Sequence, residues 1–575
     1  MKKHLTAPFQ ALFAALLLLS CSPAPHTLHV VTTGDVHGSF FDEPYVSGAR
    51  SRTSLMSVKH YVDSLRSAVG ADNVLLLDAG DILQGDNAAY YYNYVAVDEP
   101  HILPRIASYM GYDAIVLGNH DIETGHAVYD RLMRELESAG VPALAGNALT
   151  PSGKPYFPEY AVVRKGGLKV LVLGYDNANI AGWLSEELWS GMRFESLVPL
   201  VRDRVEALSR RFRPDVVVAV VHSGTGEGDG SQLESQGLDI YAQLTGADVL
   251  VCAHDHRSYC ESRGDCCLLN AGARAGYVGH ATVSVSSRRT PGRNSVAAEV
   301  VRLDKRAVDT LMREAFRPEF DAVKAFTLQP VGSLAMPLVT RDAYCGMSDY
   351  INFVHTVQLG VPEAQVSFAA PLTYNGTVSA GQLVYNDLFT IYPFENQLFV
   401  LKMSGAEIVS YLEESYDRWI VTPGDHVFNI EQRKDERTGA DRWSFAERSY
   451  NFDSAAGLRY TVDVTAPRGS RICVTSLADG SAFDPAATYN VAMTSYRASG
   501  GGFLLEKGCG IDAAEAEARI VARYPEIREM IYSFLKDHPD VTPALVGDSS
   551  LIGSWRFVPE RTADALIAKD MALVF

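Results

Sequence analysis

At 575 residues the chain is too long for one ordinary core, so two domains are the starting expectation. A content of 47% hydrophobic and 21% charged residues describes a globular protein and excludes a disordered or fibrous one. The formal charge of −18, with no basic stripe to offset it, excludes a nucleic-acid polymer as partner. Small phosphorylated substrates stay possible, because bound divalent metals reverse the field locally.

The N-terminus reads as an export leader. Lys2 and Lys3 precede an apolar run from Ala11 to Leu19, followed by Ser20 and Cys21. That run is too short to span a bilayer as a permanent helix. Leu18-Leu19-Ser20-Cys21 resembles the bacterial lipobox, which implies removal of residues 1–20, lipidation of Cys21 and a membrane-anchored lipoprotein of the periplasm or cell surface. Seven further cysteines, an odd number, cannot all pair within one chain. Cys260 has Cys266 or Cys267 within reach of a small disulfide loop, and buried or idle thiols are the alternative.

Five short apolar runs in the first half each lead into a residue able to bind metal. Leu28 to Thr33 leads into Gly34-Asp35-Val36-His37, and Val74 to Leu77 into Asp78-Ala79-Gly80-Asp81. Ala114 to Leu117 leads into Gly118-Asn119-His120-Asp121. Val216 to Val221 ends at His222, and Val249 to Ala253 at His254-Asp255-His256. Such runs suit strands buried on both faces. Amphipathic stretches between them, at Ser54–Val69, His126–Ser138 and Leu197–Arg211, predict helices. The alternation is α/β, where ligands gather beyond the carboxyl ends of strands. A turn over Ser287–Gly292 and a strand over Ser295–Leu303 close this domain, taken as residues 27–305.

Val308–Phe326 reads as a charged connecting helix within a linker taken as 306–332, and it is the natural place for a hinge. From 333 to 575 the pattern predicts a second, α+β domain, with helices near Asp349–Leu359, Gly405–Trp419 and Asp512–Leu535.

Taken singly, each metal-ligand candidate has an ordinary structural explanation as a cap, turn or core residue. The set carries the argument: DxH, GDxxQG, GNHD, a strand-terminal His and HxH, in that order, each just after a strand. Phosphate esters resist hydrolysis because an anion repels the nucleophile and the alkoxide leaves poorly. Two metals about 3.5–4 Å apart overcome both, binding one hydroxide and neutralising the phosphoryl oxygens during in-line attack. Mixed His, Asp and Asn ligands suit Zn, Mn, Fe or Co better than Mg or Ca.

These blocks resemble the signature of the calcineurin-like metallophosphoesterases, and the whole chain resembles their 5′-nucleotidase and 2′,3′-cyclic-nucleotide phosphodiesterase family. The resemblance implies a metallophosphoesterase β-sandwich flanked by helices, a connecting helix and a C-terminal substrate-binding domain. It puts Asp35, His37, Asp81 and His256 on one divalent ion, and Asp81, Asn119, His222 and His254 on the other, with Asp81 bridging. It makes His120 the residue that stabilises transition-state charge or protonates the leaving oxygen, with Asp121 orienting it. It implies a small-molecule nucleotide substrate, its base sandwiched between Phe452 and Phe503.

The sequence also departs from the family. Ala369–Gly376, which includes Asn375, lacks the glycine run and arginine that reach the substrate phosphate in many 5′-nucleotidases, and Gly500-Gly501-Gly502 lacks an Asp. Tyr496–Gly501 is closer to the cyclic-nucleotide phosphodiesterase branch. Asn375 is a substrate-binding candidate, and Arg418 and Arg497 are candidate replacements for the missing cation. The same chemistry on nucleotide sugars or a sulfur ester, and an inactive surface binding protein, stand as alternatives.

Overall fold

A computed structural model describes residues 26–46, 52–285, 294–422, 424–434 and 440–575. The leader with Cys21 and the Ser287–Gly292 turn lie outside the described residues. Among the described residues no helix is long and apolar enough to cross a membrane.

The apolar runs of the first half become strands of two six-stranded sheets. One sheet runs in the order Ser295–Arg302, Tyr277–Val285, His26–Thr33, Val74–Asp78, Ala114–Val116, Ala143–Leu144. The other runs Ser258–Ser262, Cys267–Ala271, Val249–Cys252, Val216–Val221, Leu168–Tyr175, Tyr160–Lys165. The sheets pack face to face through Leu28, Val30, Leu75 and Leu77 on one side and Val170, Val172, Val218 and Val251 on the other. Central strands are buried on both faces because helices cover the outsides, which is why their sequences are continuously apolar. Leu55–Val69, started by Ser54 Oγ accepting from Met56 N, covers the first sheet, and Leu197–Phe212 covers the second.

Within each sheet the central strands are parallel: His26–Thr33, Val74–Asp78 and Ala114–Val116 in one, Val216–Val221 and Val249–Cys252 in the other. Their carboxyl ends therefore open on one edge of the sandwich, and all five candidate loops emerge there.

The second half builds a five-stranded sheet, Ser454–Ala456, Val366–Ala369, Thr488–Thr494, Gln397–Ser404, Ile520–Glu526. A three-stranded sheet of Ile472–Leu477, Leu458–Asp463 and Gly553–Val558 lies beside it. The capping box of Ser404 with Glu407 starts the helix Gly405–Trp419. The helix expected over Asp512–Leu535 is instead helix Ala513–Arg519, strand Ile520–Glu526 and helix Ile527–Asp537. Ile520, Ala522 and Tyr524 face inward and Val521, Arg523 and Pro525 outward, a period of two that a helical reading misses. Pro525 fits because this strand is an edge.

The connector forms two short helices, Thr310–Ala315 and Arg317–Thr327. Met312, Phe316, Phe320 and Val323 sink into the core of the first half, and Phe326 into a core of the second. The seven described cysteines are free, so Cys260 pairs with neither Cys266 nor Cys267.

Candidate metal centre

The loops after the first two strands are zipped together by backbone bonds: Asp35 N to Gly80 O, His37 N to Asp81 O and Gly38 N to Ile82 O, at 2.8–2.9 Å. Asp35, His37, Asp81, His254 and His256 all adopt left-handed backbone, and make up five of the nine non-glycine residues that do so among the described residues. Such strain gathers where the surroundings fix a side chain for function. Gly80 and Gly118 let the loops meet. A Cβ on Gly118 would lie 2.3 Å from Asp81 Oδ1, and one on Gly80 2.7 Å from His222 Nδ1.

Two clusters of ligand atoms result. Asp35, His37 and His256 form one, with His37 Nε2 2.9 Å from His256 Nε2. Asp81, His222 and His254 form the other. There Asn119 Oδ1 lies 3.1 Å from His222 Nε2 and 2.9 Å from His254 Nδ1, and Asp81 Oδ2 lies 3.1 Å from His222 Nε2. All seven predicted ligands are thus brought together.

Neighbours fix which ring nitrogen faces in. A carbonyl only accepts, so His37 Nδ1, 3.0 Å from Gln84 O, and His222 Nδ1, 2.8 Å from Ala79 O, carry the hydrogens. With each ring neutral, the inward Nε2 is a lone pair, which His37 turns towards His256 Nε2 and His222 towards Asn119 Oδ1 and Asp81 Oδ2. Burial first, with nearby cations adding, holds His37 well below the ordinary imidazole range and so neutral, as a ligand must be. Burial also opposes charge on His222, but Asp81, Asp35 and Asp176 outweigh it and raise its pKa well above normal. Lone pairs and buried carboxylates converging on two points call for positive charge there, and the residues present fit two divalent ions.

His120 donates its backbone N–H to Asp81 Oδ1 at 2.9 Å, and its ring lies edge-on to His37 at 5.5 Å. Its orienting partner is not Asp121. His120 Nδ1 is 2.6 Å from Glu123 Oε2, whereas Asp121 accepts from the backbone N–H groups of Asp81, Ile82, Leu83 and Gly118 at 2.9–3.0 Å. Asp121 therefore shapes the loop that carries Asp81. Burial disfavours a charge on His120, but Asp81 and Glu123 prevail and push its pKa up to about 9.

The substrate-side expectations are largely corrected. Phe452 is fully buried, stacked on Trp419 at 5.5 Å and edge-on to Phe445 at 5.2 Å, so it is a core residue with no face for a base. Arg497 is also buried, and all five of its N–H groups are spent on Asp453, Asn451, Tyr450 O and Gly501 O. Arg418 is held by Glu414 and Gly502 O. Neither arginine is a free phosphate cation; both brace the loop before Phe503. Asn375 is exposed on a turn whose neighbour Tyr374 packs on Phe445 and Phe575.

Phe503 is 52% exposed, with Lys507 Nζ over one face at 5.5 Å. Two residues before Phe452, Tyr450 is 36% exposed, and Arg497 ties its carbonyl to the same loop. Sequence reading missed Tyr450 because the spacing favoured Phe452. It also missed Arg274, whose backbone N donates to Asp35 O at 2.8 Å. The exposed Arg274 guanidinium bonds Gly85 O at 3.3 Å, across Gly85 from His37. No motif marked it.

Comparison with known proteins agrees with this geometry. The calcineurin-like phosphoesterase family matches residues 28–258, and the 5′-nucleotidase C-terminal domain family matches residues 330–506. The chain is 24% identical over 559 residues to the 2′,3′-cyclic-nucleotide 2′-phosphodiesterase/3′-nucleotidase of Salmonella typhimurium, covering 86% of this chain and 84% of that one. It is 22% identical over 598 residues to the trifunctional nucleotide phosphoesterase protein YfkN of Bacillus subtilis, covering 91% of this chain but spanning only 39% of that protein. A solved putative 5′-nucleotidase from Staphylococcus aureus superposes with a TM-score of 0.74 at 20% identity, over 92% of this chain and 99% of the other.

Proposed function

Because the chain belongs to the calcineurin-like phosphoesterases that carry a 5′-nucleotidase C-terminal domain, and is a phosphoester hydrolase, we propose that it hydrolyses 5′-nucleotides, 2′,3′-cyclic nucleotides or both. The observation that carries the reading is the convergence of seven acceptor side chains on two points. Asp35, His37 and His256 would hold one ion, Asn119, His222 and His254 the other, and Asp81 both. When bound, two such ions supply the charge that neutralises phosphoryl oxygens and activates water. His120 hands its proton to the leaving oxygen, with Glu123 fixing the ring. Arg274 is the cation best placed to meet the substrate phosphate. Phe503 and Tyr450 offer the base its aromatic surfaces. The lipobox pattern adds a lipid anchor at Cys21, open to test by the mass of the mature N-terminus.

The experiment is a hydrolysis screen of nucleotides and an aryl phosphate before and after chelation. Activity should vanish with chelator and return with Mn, Co or Zn, and Asp81→Ala should bind neither ion. An Asp81→Ala protein with two tightly bound ions and full activity overturns the assignment.

A further inference from the structure

The histidine ligands differ in how their rings are held. His37 and His222 each anchor the outward nitrogen on a backbone carbonyl, the usual support for a ligating imidazole. His254 presents Nδ1 to Asn119, and no described hydrogen bond holds its Nε2. What lies on it instead is Trp183, with the two rings stacked at 5.1 Å and 21°.

Trp183 is half-buried, with its ring on His254. It ends the short helix Ile180–Trp183, in the loop following the strand Leu168–Tyr175. The same loop is moored beneath the centre, where Asn177 Nδ2 donates to His222 O at 3.1 Å and Glu234 O at 3.0 Å. Nearby Trp189 packs on Phe194 and donates Nε1–H to Leu184 O. Trp183 belongs to none of the hydrophobic clusters among the described residues, and its one described ring contact is His254. A large aromatic residue left out of the core and laid flat on a strained, left-handed histidine has a local task.

We propose that Trp183 is the positioning residue of the Asp81–Asn119–His222–His254 ion site. Its indole replaces the missing hydrogen bond, holds the His254 ring with Nδ1 aimed inward, and thereby sets the affinity of that site. The inference rests on the metal-centre reading above.

The test titrates Zn or Mn into the chelator-stripped full chain, by calorimetry, for wild type, Trp183→Ala and Trp183→Phe. Two binding events in wild type are the precondition; their absence refutes the metal centre itself rather than the role of Trp183. Trp183→Ala should weaken one event by about 10–100-fold, as loss of a ligand's support does elsewhere, and leave the other within about 3-fold. Trp183→Phe, which keeps a stacking face, should recover most of the loss. Co should quench the emission of wild type, and that quenching should be largely absent in Trp183→Phe, although four of the five tryptophans remain. Unchanged affinities in Trp183→Ala overturn the proposal. So does equal weakening of both events with a lowered melting temperature, which marks general loosening of the fold.

Discussion

Glu123 accepts from both His120 Nδ1 and Gln84 Nε2, so one carboxylate fixes the imidazole and is itself fixed. Such an arrangement suits a proton donor whose direction matters as much as its charge. Glu123→Gln keeps the shape and removes the charge. It should lower kcat by about 10–100-fold, within the range general acid catalysis supplies, while both ions stay bound. With one of the two carboxylates holding the His120 proton gone, the pKa of about 9 falls. If the protonated ring is the active form, the alkaline limb of the rate profile moves to lower pH. Asp121→Asn should do the reverse of Glu123→Gln and lose metal, because Asp121 holds four backbone N–H groups of the Asp81 and Asn119 loops. Metal content and kcat, measured on both variants, check the pair. The GNHD motif made Asp121 legible as important, but not its direction. A residue three positions after His120 reaches its ring across one helical turn, and the immediate neighbour points away.

Strands were the most legible elements, because a β-strand buried on both faces leaves an unbroken apolar run that ends where the backbone turns. Ile520–Glu526 was less so, because it is half-exposed rather than continuously apolar and is flanked by real helices. The segment Ser449–Asn451 shows the same limit at finer grain. Tyr450 and Phe452 are both aromatic and two positions apart, yet one reaches solvent and the other stacks on Trp419. Substitution should separate them. Phe452→Ala should cost about 3–5 kcal/mol of stability, seen as a lower melting temperature with KM unchanged in the folded fraction. Phe503→Ala or Tyr450→Ala should leave melting nearly unaltered and raise KM for nucleotides by about 5-fold to over 100-fold, at roughly 1–3 kcal/mol per stacked base. KM for an aryl phosphate, which has no base, should change little. Loss of nucleotide affinity in Phe452→Ala alone would return the platform to the position that sequence favoured.

Across the whole molecule, the two-part plan was legible from the change of pattern near residue 305, but the relation of the parts was not. Contacts between distant segments leave no local signature. Asn87 Nδ2 donates to Asn386 Oδ1 at 2.8 Å, and the fully buried Arg528 lies over Tyr90 at 5.0 Å and Phe389 at 4.1 Å. The connector is likewise no free hinge, with Phe320 stacked on Tyr45 at 5.5 Å and Phe326 at 4.2 Å from Tyr385. Any rotation between the halves must pivot where the connector passes from one core to the other, between Val323 and Phe326. The connector has a thermal consequence as well. Its side chains complete one core and begin the next, so neither half can melt without stripping packing from the other. Heated in a scanning calorimeter, the ion-loaded chain should give a single endotherm whose van't Hoff and calorimetric enthalpies agree, the mark of one cooperative unit. Two resolved peaks would mean that the halves are tethered neighbours instead.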